Sequence, residues 1–143
     1  MTDRYLRQVI VVRKDLCMPS GKLAAMVAHA SMTFICNGIM PRAWMPDSVE
    51  LILTPVQRQW LTEVEPGLED IGQLSFAKIV LAVKDLQELL DVEHACIVAG
   101  LDCHRVVDGG HSHNKPGDIA CIAIGPDWPE KLHPVTGGLK LYR

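Results

Sequence analysis

Short apolar runs separated by polar turns recur along the chain and predict strands that alternate with helices. Each run is four to seven residues long, is rich in Val, Ile or Ala, and is bounded by charged residues, Gly or Pro, as is typical of buried strands. Four segments have this pattern: Gln8–Val12, Ala77–Val83, Cys103–Val107 and Ile119–Ile124. The chain therefore contains at least four strands of one sheet.

The segments between the strands carry helical patterns. The first helix is predicted from Gly21 to about Asn37, because it is rich in Ala, with Pro19 and Ser20 as start signals and Asn37-Gly38 as a stop. Its low polar content predicts that it lies against the sheet and is covered on most sides. Three shorter helices are predicted over residues 55–64, 86–99 and 128–133.

This order of elements predicts a single α/β domain over residues 1–143. The sheet should be mixed and four-stranded, flanked by helices in a three-layer-like arrangement, because a short loop joins the last two strands. Residues 39–74 form an extended connection. Pro41, Pro46 and Pro55 predict a loop in its first half.

Composition places the chain among reduced, globular proteins. Hydrophobic residues make up 48% and charged residues 22%. The five cysteines are an odd number, form no Cys-x-x-Cys pair and follow no apolar leader, so we expect a cytoplasmic protein without disulfides. No apolar run approaches the roughly 18 to 20 residues of a membrane span.

Charge is unevenly distributed along the chain. The net charge of −3 argues weakly against nucleic-acid binding, yet residues 1–45 have a balance of +4, residues 46–102 of −8 and residues 103–143 of +1. A local basic face is therefore compatible with the sequence, and a solvated acidic middle segment is the plainer alternative. Candidate phosphate contacts are Arg13, Lys14, Lys115 and Lys140.

The loop after the first strand ends in Gly21-Lys22, at the start of the first predicted helix. Ligand sites in α/β domains lie where loops leave the carboxyl ends of strands, and helix N-termini favour anions. A lysine there has the wrong sign for the helix dipole, so Lys22 predicts a phosphate, carboxylate or oxyanion partner. A solvent-exposed lysine is the alternative. The segment is not a Walker motif, because the earlier glycine is absent.

A second candidate is Asp108, which ends the third strand and begins a polar segment that runs to Gly117. The two glycines that follow predict an exposed, flexible rim, where the carboxylate could orient or deprotonate a water as a general base. An Asp-Gly turn is the alternative. The ten residues are more than a hairpin requires, which favours a functional loop.

Histidine content raises the possibility of a metal site. His111 and His113 could present two imidazoles to one ion, but no second pair has ligand spacing, and zinc usually takes three or four ligands. We therefore predict no metal and no cofactor. His29, in an apolar helix, is more typical of a core histidine than of a catalytic one. No Ser–His or Cys–His pair is evident, so no covalent intermediate is expected.

These segments resemble the type 2, archaeal and eukaryotic-type, peptidyl-tRNA hydrolases. The resemblance spans nearly the whole chain in order, through 8–16, 21–25, 28–30, 78–83, 108–110, 116–117, 124–126 and 135–141. It implies hydrolysis of the ester between a peptide and the terminal ribose of tRNA, without metal or cofactor, by a homodimer with a mixed four-stranded sheet.

The resemblance also implies a set of site residues. It matches the catalytic lysine and aspartate to Lys22 and Asp108, and a family threonine to Ser112, which keeps the hydroxyl. We assign His29, in the matched helix, to the same catalytic set. We assign the substrate-binding residues to both loops: Ser20, Gly21, His111, His113 and Lys115.

The chain departs from the family pattern around this pair. Met26 replaces a family glutamine, Ser20 a second lysine, and Ala120 a threonine of the fourth strand, while residues 39–74 are longer than the usual connection. These departures keep two alternatives open. One is a catalytically weakened module that binds tRNA or protein, and the other is a metallohydrolase that uses His111 and His113.

Overall fold

The structure is a computed structural model that describes residues 5–42, 44–45, 47–110 and 115–143. Its helices are α1 (Ser20–Asn37), α2 (Pro55–Thr62), α3 (Leu86–Ala99) and α4 (Pro129–Thr136), with a 3-10 turn at Glu69–Ile71. Its strands are β1 (Arg7–Arg13), β2 (Ile39–Pro41), β3 (Val49–Leu51), β4 (Lys78–Val83), β5 (Cys103–Val107), β6 (Ile119–Asp127) and β7 (Lys140–Leu141).

The main sheet has the strand order β5-β6-β1-β4-β7. β1 and β4 are parallel, whereas β6 runs antiparallel to both β1 and β5, and β7 runs antiparallel to β4. The predicted α/β class and mixed sheet are confirmed, and β7 adds a fifth strand to the four expected. Because β1, β4 and β5 point the same way, the loops after them meet at one edge of the sheet, which we call the carboxyl edge.

Each face of the sheet carries its own core. α3 and α4 cover one face, where Val9, Val11, Leu89 and Ile122 are buried. α1 covers the other face, and its position is fixed by a buried polar contact: Gln8 Nε2 donates to the Ser31 carbonyl oxygen (3.1 Å), and Ser31 Oγ donates to Gln8 Oε1 (2.6 Å). Satisfied buried polar groups of this kind define one docking position for the helix.

The expectation that α1 is covered on most sides is wrong. Only Ala30 and Phe34 are fully buried in this helix, and Met32 is 56% exposed. The helix is apolar on its outer side as well, because small alanines occupy positions where a solvated helix carries charge: Ala24, Ala25 and Ala28 are all exposed.

The expected loop over residues 39–54 is also wrong, because β2 and β3 pair there as an antiparallel hairpin. Each strand is only three residues long, and Pro41 ends the first, so the segment lacks the alternating run that identifies a strand. α2 begins with Pro55, as predicted, and Thr54 and Gln57 form a reciprocal capping box at its start.

Candidate active site

Lys22 and Asp108 form an ion pair at the carboxyl edge of the sheet. Lys22 Nζ lies 3.0 Å from Asp108 Oδ2 and 3.2 Å from Oδ1. The Lys22 side chain is 14% exposed and that of Asp108 only 3%. Contact between residues 86 positions apart confirms that the two loops singled out in the sequence come together. Lys22 has the carboxylate partner that its place beside the helix N-terminus requires.

Asp108 is buried, so its expected place on an exposed, flexible rim is wrong. Its backbone N–H donates to the Asp118 carbonyl oxygen (2.8 Å), and its carbonyl oxygen accepts from the Gly117 N–H (2.9 Å). These bonds prolong the pairing of β5 with β6 by one step beyond Val107. The aspartate therefore sits at the closed base of its loop, with its carboxylate held below the surface.

Gly110 supports the carboxylate from within the loop. Its N–H donates to Asp108 Oδ1 (2.8 Å), and its φ is +75°. A Cβ at Gly110 would lie 2.5 Å from the ring of Pro116. Only glycine offers this backbone conformation without strain while leaving room for Pro116.

We expect Gly110→Ala to lower kcat/KM for the ester substrate that the family resemblance implies by at least tenfold. The displaced loop would no longer direct the N–H of residue 110 at the Asp108 carboxylate. The left-handed conformation alone costs an alanine about 1 to 2 kcal/mol. Gly117→Ala is the matched control, since Gly117 also has a positive φ, of +87°, but no atom lies within 4 Å of its added Cβ. Steady-state kinetics on both variants test this. Equal losses would show that backbone strain, and not the Pro116 contact, is responsible.

The first turn of α1 is open next to Lys22. Pro19 occupies the capping position and makes no side-chain cap, while Ser20 and Gly21 are exposed. No atom lies within 4 Å of a Cβ built on Gly21. The first N–H groups of a helix have no partner within the helix, so this turn, at the positive end of the helix dipole, can accept an anionic group beside Lys22.

Apolar residues lie next to the pair on the α1 side of the sheet. Met26 is one helical turn after Lys22 and packs into the same cluster as the fully buried Ala120. Cys121 lies there too, and burial raises the pKa of its thiol to about 12, so it carries no thiolate to act as a nucleophile. The apolar surroundings lower the local dielectric and strengthen the interaction of Lys22 with any developing negative charge.

The remaining predicted residues lie in several places. His29 is exposed and two turns along α1 from Lys22, about 10 Å by helical rise, so it is neither a core histidine nor part of the pair. Lys115 is exposed in the loop, and its N–H donates to Asp118 Oδ2 (3.0 Å). Ser112, His111 and His113 fall outside the described residues.

A second ion pair lies beside the first and was not predicted as one. Arg13, at the end of β1, donates through Nη2 to Asp15 Oδ2 (2.7 Å) and through Nε to Oδ1 (3.0 Å). Its Nη1 also donates to the Ile119 carbonyl oxygen (3.3 Å). Arg13 is only 8% exposed, so it serves the structure of this edge and is not the phosphate contact that the sequence suggested.

Stability at acidic pH should depend on this second pair. The hydrogen bonds from Arg13 lower the pKa of Asp15, so its contribution is complete above the unfolded pKa of about 3.9 and is lost as the pH falls through the lower folded value. We expect Asp15→Asn to melt below the wild type at pH 6, with the difference in Tm shrinking below pH 4. Thermal melts from pH 6 to 2.5 measure this, and a constant difference would contradict it.

Among the residues that the structure describes, no group of three His, Cys, Asp or Glu side chains could hold a metal ion. The same residues contain no helix that is both long and apolar enough to cross a membrane.

The chain is similar in sequence to known proteins over nearly its whole length. The family model described as Peptidyl-tRNA hydrolase PTH2 matches residues 6–142. The chain is 39% identical over 137 residues to the peptidyl-tRNA hydrolase of Methanopyrus kandleri, covering 96% of this chain and 98% of the relative. For the peptidyl-tRNA hydrolase of Thermoplasma acidophilum the identity is 36% over 135 residues, covering 94% and 97%. The chain thus belongs to the PTH2 family of peptidyl-tRNA hydrolases.

Proposed function

We propose that this protein hydrolyses the ester between peptide and tRNA in peptidyl-tRNA, releasing free tRNA without a metal ion or cofactor. The observation that carries the proposal is the buried Lys22–Asp108 pair beside an open helix N-terminus, in a chain of this family. Asp108 orients the attacking water, and Lys22 stabilises the charge that develops on the substrate. Ser112 positions the water or the ribose.

The water forms a new bond to the carbonyl carbon of the ester, and the carbonyl oxygen becomes an oxyanion. When this intermediate collapses, the bond to the ribose oxygen breaks, and that oxygen takes up a proton that the water has released. The products are a peptide carboxylic acid, which gives up the second proton of the water to solvent and becomes a carboxylate, and a tRNA with a free ribose hydroxyl. Asp108 polarises the water more than it deprotonates it in the ground state, because Lys22 and Gly110 already donate to its carboxylate.

Lys22 is preorganised for its role. Its ammonium group is held in place before substrate arrives, in a site with apolar Met26 and Ala120 nearby. A fixed donor in such surroundings needs little reorganisation as charge builds, and one donor of this kind commonly contributes roughly 3 kcal/mol at the transition state. A backbone phosphate near the ester would be bound by the same ammonium group or by the first turn of α1.

Release of tRNA from a purified peptidyl-tRNA, measured with and without EDTA, tests the proposal. We expect equal turnover under both conditions. Loss of turnover in EDTA would instead support the metallohydrolase that uses His111 and His113. Binding of the substrate without turnover would support the alternative of a catalytically weakened module.

One observation favours that binding module as the second candidate. Met26 and Ala120 stand where the family resemblance implies a glutamine and a threonine, and both are packed in one apolar cluster. The site therefore lacks two polar groups that could help to hold water. Met26→Gln would raise turnover if the lost amide limits catalysis, and this can be measured in the same assay.

The proposal includes a cytoplasmic homodimer. The outer side of α1 and the β2–β3 hairpin adjoin, because the Ile52 N–H donates to the Gly38 carbonyl oxygen (2.8 Å). Together they expose an apolar surface, and contiguous surfaces of this kind mark protein interfaces. We call it the hairpin patch; it consists of Met32, Ile39, Met40, Val49, Leu51 and Ile52, all exposed.

We expect the double substitution Val49→Asp, Leu51→Asp, at two positions on one face of the hairpin, to convert a dimer into a monomer, because two buried, unpaired carboxylates would oppose association. Light scattering after size exclusion measures the mass. The matched control is Val98→Asp, an exposed apolar residue of α3 on the opposite face of the sheet. A wild-type monomer, or a dimer that survives the double substitution, would contradict this interface.

A further inference from the structure

A groove of about 1170 Å³ opens at the carboxyl edge, next to β4 and β7, at the opposite end of the strand order from β5. It lies where β4, the start of α3 and the chain before β7 meet. Buried or half-buried apolar side chains line its floor, among them Val83, Val92 and Leu139, and exposed charged residues such as Lys84 and Asp91 form its rim. Among the described residues that line this groove are neither Lys22 nor Asp108.

The groove and the ion pair are separated by a distance that a short peptide spans. Asp108 follows β5, and Lys84 follows β4, three places along the strand order at the same edge. With neighbouring strands about 4.8 Å apart, the separation is about 14 Å. An extended chain advances about 3.3 Å per residue, so a peptide attached at the ester would reach the groove at about its fourth residue.

The groove also borders an open strand edge. Tyr142 N–H donates to the Val80 carbonyl oxygen (3.0 Å), and Lys140 pairs with Ala82, so residues 140 and 142 direct their main-chain groups at β4. By the alternation of antiparallel pairing, Leu141 directs its N–H and C=O away from the sheet. An extended peptide can add to such an edge through main-chain hydrogen bonds, which do not depend on its sequence.

The charges around the groove suit a peptide better than a phosphate backbone. An RNA site usually carries a clear excess of Lys and Arg, because their charges neutralise the phosphates. Here the acids nearly balance the bases, and Lys14 already donates to the Arg143 carbonyl oxygen (2.7 Å). The bases are Lys14, Lys84, Lys140 and Arg143, and the acids are Asp15, Glu88 and Asp91.

We propose that this groove binds the peptide portion of the substrate, from about the fourth residue before the ester, with the outer edge of β7 as its main-chain partner. The inference rests on the proposed hydrolysis of peptidyl-tRNA and deepens it. Peptides of any sequence would be accepted, and longer ones would be held more firmly than an ester that carries a single residue.

The test compares two substrates on the same tRNA, one with a single N-acetylated residue and one with an N-acetylated hexapeptide. We expect the wild type to have a kcat/KM roughly tenfold higher on the hexapeptide substrate, the value of one or two net hydrogen bonds. Equal efficiency on both substrates would overturn the groove proposal alone. Failure to cleave either would overturn the proposed function, and the groove proposal with it.

The substitution Gly138→Phe tests whether the higher kcat/KM on the hexapeptide substrate arises at the groove. Gly138 lines the groove, and no atom lies within 4 Å of a Cβ built on it, so a side chain there meets open space. We expect this variant to lose the advantage of the hexapeptide substrate while cleaving the single-residue substrate as before, and Gly138→Ala, the matched control, to keep it. An equal loss of kcat/KM on both substrates would overturn the proposal in favour of RNA binding at the groove. An unchanged kcat/KM on the hexapeptide substrate would overturn it as well.

Leu141→Pro tests the strand edge by a second route. It removes the outward N–H of Leu141 without removing a bond to β4, whereas Leu141→Ala keeps that N–H. Selective loss on the hexapeptide substrate in the proline variant alone supports main-chain recognition. Equal behaviour of the two variants would show that the strand edge is not the partner.

Discussion

Replacing Asp108 by asparagine should lower kcat/KM for peptidyl-tRNA by roughly a thousandfold, the middle of the range for a positioned acid–base group. The substitution keeps the shape of the side chain and an oxygen that can accept from the Gly110 N–H. It removes the negative charge that orients and polarises the attacking water. Steady-state hydrolysis, read as release of tRNA, measures the loss.

The control for this variant is its free energy of unfolding. Removing one partner of a buried ion pair typically costs about 3 to 5 kcal/mol, but Lys22 is 14% exposed and can turn toward water, so we expect a smaller loss and a folded protein at 25 °C. Urea unfolding measures it. Full activity in folded Asp108→Asn would overturn the assigned role.

Replacing Lys22 by methionine should lower kcat/KM by about a hundred- to a thousandfold, because the substrate oxyanion loses its preorganised cation. The effect on stability should be larger than for the aspartate. Lys22→Met leaves the carboxylate of Asp108, which is only 3% exposed, without its cation. We expect the free energy of unfolding, measured with urea, to fall further than in Asp108→Asn.

The double variant Lys22→Met, Asp108→Asn separates stability from chemistry. It removes both charges, so the free energy of unfolding should recover toward the wild-type value, as it often does when a whole buried pair is replaced. The kcat/KM of the double variant should stay as low as that of the less active single variant, because the effects of residues that act as a unit are not additive. Recovery of activity together with stability would show that the pair is structural.

The sequence predicts the strands well where local pattern decides. β1, β4 and β6 contain continuous apolar runs between polar turns, β5 ends in Val106-Val107, and each strand forms close to where it is expected. The hairpin of β2 and β3 is missed because three residues are too few to show a period. The order of strands is not predicted either, since it depends on contacts between distant segments.

The candidate site, like the fold, is predicted from the sequence where local pattern decides and missed where contacts between distant segments decide. Lys22 and Asp108 are predicted as chemical groups because each occupies a loop that a plain turn does not explain. The burial of Asp108 is missed, because two following glycines indicate an exposed turn, whereas Lys22 and the Gly110 N–H hold the carboxylate inside. The position of Met26 next to Lys22 follows from helical spacing, but its contact with the cluster of Ala120 does not.

The strand order has a consequence for how activity arises. β5 carries Asp108, yet it is separated from β1 by β6, which is made later in the chain than either. A polypeptide that has been synthesised only as far as Asp108 therefore lacks the strand that brings the two halves of the site together. Long-range pairing of this kind forms late in folding. Catalysis should thus appear only once the sheet is complete, so the onset of hydrolysis during refolding would time the insertion of β6.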